Sequence, residues 1–186
     1  MANLKIWITY FLITLNCSFA AGAQYATVEW IDLLPPDDLE ALLNPPEYLT
    51  EIEDGSPEDS IQSRLRNKVE TDANDRYQKA LQSEKIVATM NGKKIRIPGF
   101  IVPTEFENEE MVIQFLFVPF FGACLHLPPP PPNQIILVDF AEGVPLKSLY
   151  TPFWISGELK TSLVEKDIAT AAYTMAMDLY EVYRED

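Results

Sequence analysis

Lys85-Ile86-Val87-Ala88-Thr89-Met90-Asn91-Gly92-Lys93-Lys94-Ile95-Arg96-Ile97-Pro98-Gly99-Phe100-Ile101-Val102 is where the chain changes character. Ile86–Met90 and Lys93–Ile97 flank an Asn-Gly pair, and Asn-Gly tolerates the positive φ angles that a tight type I′ turn demands. The stretch predicts a β-hairpin. Pro98-Gly99 should bend or bulge its second strand before Phe100-Ile101-Val102.

Downstream of it the strand signals continue. Met111–Val118 (MVIQFLFV) places large apolar residues on both faces and reads as a buried strand. Gln134–Phe140 reads as another. Phe153–Leu163 is strand-like but interrupted by Gly157. In the last run, Ala171, Tyr173, Met175, Met177 and Leu179 share a face at period two. Lys166–Ala172 could instead be a short helix. Five or six short strands over about 100 residues favour a mostly β chain folded as a small OB-like β-barrel, because closure hides sheet edges. A β-sandwich is the alternative.

Upstream the chain is different. From Glu29 to Asp75 there are 14 acids and 3 bases; from Arg76 to Asp186 there are 14 acids and 10 bases. Pro35-Pro36 and Pro45-Pro46 bracket Leu39-Glu40-Ala41-Leu42-Leu43, which suits one or two helical turns, and Ser60–Ser83 is polar and compatible with helix. Residues 24–83 therefore read as an acidic, partly helical arm and residues 84–186 as the barrel domain. Residues 1–23 read as a secretory signal: Lys5, an apolar run from Ile6 to Leu15, then Ala21-Gly22-Ala23. The run is too short for an ordinary membrane span, which needs about 20 residues. Cleavage after Ala23 would leave 163 residues with 28 acids, 13 bases, one Cys and one His.

That composition limits function. A net charge of −14 on the full chain repels phosphate backbones, so no nucleic acid partner is expected. A single His leaves any Ser-His or Cys-His catalytic scheme one candidate base. The unusual segment is Phe120-Phe121-Gly122-Ala123-Cys124-Leu125-His126-Leu127, followed by Pro128–Pro132 and Asn133-Gln134. In extended chain Cys124 and His126 share a face. A thiolate with an imidazole suits zinc or copper, and the proline run favours stiff polyproline II.

Three readings of the pair stay open. Cys124 and His126 are metal ligands, completed by carboxylates such as Glu105, Asp139 or Glu142, by water, by a substrate or by a second copy of the chain. Cys124 is instead a small buried hydrophobe and His126 a hydrogen-bonded neighbour. Or His126 activates Cys124 in a thiol-dependent enzyme. Pro128, Pro130 and Pro132 could also present a surface to a partner protein. Met175 and Met177 read as core; Trp30 and Trp154 read as packing anchors.

The strings Gly99-Phe100-Ile101-Val102-Pro103 and Phe115 through Gln134, with Trp30-Ile31-Asp32-Leu33-Leu34-Pro35 and Phe153-Trp154-Ile155-Ser156-Gly157, resemble the exported bacterial family called domain of unknown function 3299. The resemblance implies a periplasmic or lipid-anchored protein. It further implies an accessory role near ABC-type export or metal-uptake systems, some of them zinc-responsive, with no enzymatic activity attached. Cys124, His126 and Asn133 match the family's most distinctive motif. Asn16 and Leu15 before Cys17 fit a lipidation site poorly. The expectation is thus a periplasmic accessory or binding protein, linked to a membrane transport complex and to zinc, with Cys124 and His126 as metal ligands and Asn133, Pro128, Pro130 and Pro132 as binding positions. Its oligomeric state is not legible.

Overall fold

In the computed structural model, residues 25–46, 76–108, 110–121 and 130–184 are described. Cys124, His126, Pro128, the signal segment and Ser60–Asp75 lie outside them.

The strand order settles the architecture. The strands are β1 (Ala26–Thr27), β2 (Lys93–Phe106), β3 (Met111–Val118), β4 (Ile136–Pro145), β5 (Pro152–Glu165) and β6 (Thr170–Val182). Neighbours run β2-β3-β4-β6-β5, and β5 pairs back onto β2, which closes a five-stranded barrel. β4 and β6 are parallel and the other barrel pairs antiparallel. This is the OB-like Greek-key arrangement, and the sandwich alternative does not form. β1 adds a short parallel pairing at Ile95 and Arg96. Among the described residues two α-helices, α1 (Pro36–Leu43) and α2 (Arg76–Ala80), lie before the barrel. Among the described residues no helix is long and apolar enough to cross a membrane.

The expected hairpin at Asn91-Gly92 is a turn without a first strand. Ala88–Met90 is a single 3-10 turn. Asn91 has φ −61 and ψ 128, and Gly92 has φ +74, which are type II rather than type I′ dihedrals. The antiparallel partner of Lys93 is Leu159 on β5, 66 residues on. Ile86 and Val87 pack on the core instead, and the Val87 N–H donates to the Tyr173 hydroxyl at 2.8 Å.

Pro98-Gly99 marks a change of partner. Up to Phe100, β2 pairs with β5; from Phe100 onward it pairs with β3. Gly99 is needed there, because a Cβ would sit 2.5 Å from the Val118 carbonyl oxygen and 2.8 Å from the Phe117 ring. On β6, Tyr173, Met175 and Met177 enter the core as expected, but Leu179 is 40% exposed. The register with β5 shifts between Ser156 and Gly157, so Leu179 turns outward and half-buried Tyr180 packs on the core.

Two apolar clusters result. The barrel interior holds Ile95, Ile97, Phe115, Phe117, Ile136, Val138, Ile155, Leu159, Tyr173 and Met175, joined by Val28, Trp30 and Leu33 from upstream of the barrel. Leu116 and Val118 alternate with Phe115 and Phe117 and so face outward, where they join Ile135, Leu137 and Ala171 in a second buried cluster.

Candidate functional site

The candidate loop leaves β3 at Val118 and returns through Pro130, Pro131 and the 3-10 turn Pro132–Gln134 into β4. Pro130 and Pro131 are buried and Pro132 is half-buried, so this end of the proline run packs within the domain. Pro at the first position suits the turn, since its missing N–H is one that a helix start leaves unpaired.

Asn133 follows and is 0% exposed. Its Nδ2 donates to Asp38 Oδ2 at 3.3 Å and to the Lys85 carbonyl at 3.2 Å. Asp38, in the first turn of α1, is itself buried. Its carboxylate also accepts from the Ser83 hydroxyl and pairs with the Lys85 ammonium at 3.3 Å. A buried carboxylate is tolerated only when its oxygens are matched by donors, and here three side chains supply them. The knot ties α1, the approach to the barrel and the returning loop together. Gln134 adds a second tie, as its Nε2 donates to the Trp30 carbonyl at 2.9 Å. Trp30 in turn donates its Nε1–H to the Pro98 carbonyl at 2.6 Å. Sequence spacing could not have exposed this cluster, because Asp38 and Asn133 are 95 residues apart.

One atom is left out. Asn133 Oδ1 is buried without a hydrogen-bond partner. An unpaired buried acceptor costs about 1–3 kcal/mol, and flipping the amide would turn the oxygen onto Asp38 and the Lys85 carbonyl.

Tyr173 makes a further link. Its hydroxyl donates to the Leu33 carbonyl at 2.9 Å while accepting from Val87. Burial pushes its pKa above the usual phenol value, against a smaller lowering by the Val87 N–H.

The carboxylates named as completing ligands are placed apart from this knot. Glu105 and Asp139 flank Gln114 in one row across β2, β3 and β4. Gln114 Nε2 donates to Asp139 Oδ1 at 2.7 Å. Glu142 is exposed further along β4. Among the described residues no group of three His, Cys, Asp or Glu could hold a metal ion. OB-like barrels commonly take ligands on the outer face of their second and third strands. Here that face of β3 and β4 is the second apolar cluster, with Leu116, Val118, Ile135 and Leu137 no more than 4% exposed.

A family model described as "Protein of unknown function (DUF3299)" matches residues 30–182. Among solved structures, the chain is similar to a DUF3299 family protein from Pseudomonas aeruginosa PAO1, at 31% sequence identity and a TM-score of 0.63. The match covers 88% of this chain and 99% of that one. No protein with a curated description matches the chain.

Proposed function

The chain belongs to the DUF3299 family of proteins of unknown function, and within it we propose an exported, periplasmic accessory protein that binds a transition metal, zinc, through Cys124 and His126. The observation that carries the reading is the anchoring of the loop that bears them. At its near end Phe121 packs edge-on against Phe100, with ring centroids 6.3 Å apart. At its far end Pro130 and Pro131 are buried and Asn133 is locked into the Asp38 knot. Fixed ends lower the entropy cost of presenting two ligands together.

Zinc ordinarily takes three or four protein ligands. In this reading the remaining positions are filled by water, by a cargo ligand or by a second copy of the chain. The bound metal, rather than a reaction, would be what a linked membrane transport complex responds to. Elemental analysis of protein purified without a His tag, with zinc titration, tests the proposal. About one equivalent of zinc per site is expected, with affinity falling about 10-fold or more in Cys124→Ser/His126→Ala. Unchanged affinity in that variant overturns it.

A further inference from the structure

Two segments stand out for lacking carboxylates in a chain that has 28. Residues 111–138 contain no Asp, Glu, Lys or Arg, and residues 143–157 contain only Lys147. They pair where β3 begins, at Met111–Pro145 and Val112–Val144, and meet again beyond the other end of β3. Phe121, just beyond β3, stacks on Tyr150 in the β4–β5 connection, with ring centroids 4.2 Å apart. Ser148 sets that connection: its Oγ accepts the Tyr150 N–H at 3.2 Å and its carbonyl the Thr151 N–H at 3.4 Å. Tyr150 is therefore held in place by Phe121 and Ser148. Even so it is 72% exposed, its chain neighbour Leu149 is 42% exposed, and Phe120, the chain neighbour of Phe121, is 54% exposed. The acidic β2–β3 turn meets the start of the connection, where the Leu146 N–H donates to the Glu110 carbonyl at 3.0 Å.

We propose that Phe120, Leu149 and Tyr150 form a tip that enters the interfacial layer of a lipid bilayer. Area decides between occupants. The exposed parts of the three side chains sum to roughly 350 Å² on typical residue sizes. A stable protein interface needs about 800 Å² from each partner. The tip falls well short of that, yet it is enough for reversible partition at a membrane interface, where aromatic rings are favoured. The lone Lys147 and the absence of carboxylates within 143–157 and 111–138 keep this tip compatible with anionic headgroups. Phe106, 51% exposed, lies between Glu105 and Glu107 and is unsuited to such a role, as is the half-buried pair Trp154 and Tyr183. Trp154 is covered by the Arg96 guanidinium at 4.1 Å and stacked by Tyr183 at 5.5 Å. The inference does not depend on metal binding.

Full-length protein is mixed with phosphatidylcholine–phosphatidylglycerol vesicles carrying doxyl-labelled acyl chains, and tryptophan quenching is read in Tyr150→Trp and Ile168→Trp. Ile168 is 50% exposed in the turn after β5, at the opposite end of that strand from Tyr150. Quenching of the parent, which contains Trp7, Trp30 and Trp154, is subtracted, so insertion of the apolar N-terminus does not count. Added quenching at position 150 should exceed that at 168 at least about twofold, and adding Phe120→Ser and Leu149→Ser should raise the lipid needed about tenfold. Quenching at 150 no greater than at 168 overturns the proposal and leaves the tip to a protein partner, and so does quenching that the serine substitutions do not weaken.

Discussion

Tyr173→Phe removes one oxygen and tests how the region before the barrel is fastened to it. The hydroxyl serves two backbone groups, the Leu33 carbonyl and the Val87 N–H. Leu33 is fully buried, so its carbonyl is stranded at a cost of about 1–3 kcal/mol, while the half-buried Val87 N–H recovers some water and costs about 1 kcal/mol. The expected loss is about 3 kcal/mol. With an m-value of about 2 kcal/mol/M in urea, the unfolding midpoint falls by about 1.5 M. Tm falls by about 9 °C for a domain of this size. The m-value should not change, because the ring still fills its place. Tyr150→Phe, at an exposed ring, is the control and should stay within about 0.5 kcal/mol. The pH dependence adds a second check. Burial raises the folded-state pKa of Tyr173 above its usual 10. The folded form then holds its proton at a pH where the unfolded chain has lost it. The hydroxyl's contribution is therefore fully present below the unfolded value and is lost as pH rises through the folded one. The stability gap between wild type and Tyr173→Phe should be flat from about pH 6 to about pH 9 and narrow above about pH 10. A loss below about 0.5 kcal/mol with an unchanged m-value would refute the account of Tyr173 as a fastener.

Three other substitutions probe the same frame. Gly99→Ala forces a Cβ to within 2.5 Å of the Val118 carbonyl, and urea unfolding should show a loss of about 2–3 kcal/mol. Asp38→Ala leaves the Ser83 hydroxyl without its acceptor and Asn133 Nδ2 with the Lys85 carbonyl alone; Lys85, whose side chain is 64% exposed, returns to water. The net loss should be about 2 kcal/mol, with faster amide exchange across α1. Trp30→Phe loses the 2.6 Å bond to the Pro98 carbonyl and should cost about 1–2 kcal/mol by thermal unfolding.

Much of the barrel is legible in the sequence. β3 runs from Met111 to Val118 as its composition predicts, and β4, β5 and β6 each contain most of the apolar run that announces them. The helix between the proline pairs begins at Pro36 and ends at Leu43. The Asn-Gly turn was legible as a turn but not as a hairpin. Ile86 and Val87 have strand-like side chains, and a local pattern does not reveal that the edge beside Lys93 is taken by Leu159. The polar knot was not legible at all. Asn133 stood out through its motif, but nothing local to Asp38, Ser83 or Lys85 marks them as its partners.

The division has a physical cause. Hydrophobic alternation and turn chemistry act over a few residues, so the sequence alone determined where strands form and that too many short strands follow one another to leave their edges open. Partner choice and burial act between residues far apart in the chain. Only the tertiary structure decided that β2 changes partner at Phe100, that Leu116 and Val118 are buried on the outside of the barrel, and that Asp38 reaches Asn133. A carboxylate in an acidic arm looks like a solvated charge until folding removes it from water, and only then does it require the donors that Ser83, Lys85 and Asn133 bring to it.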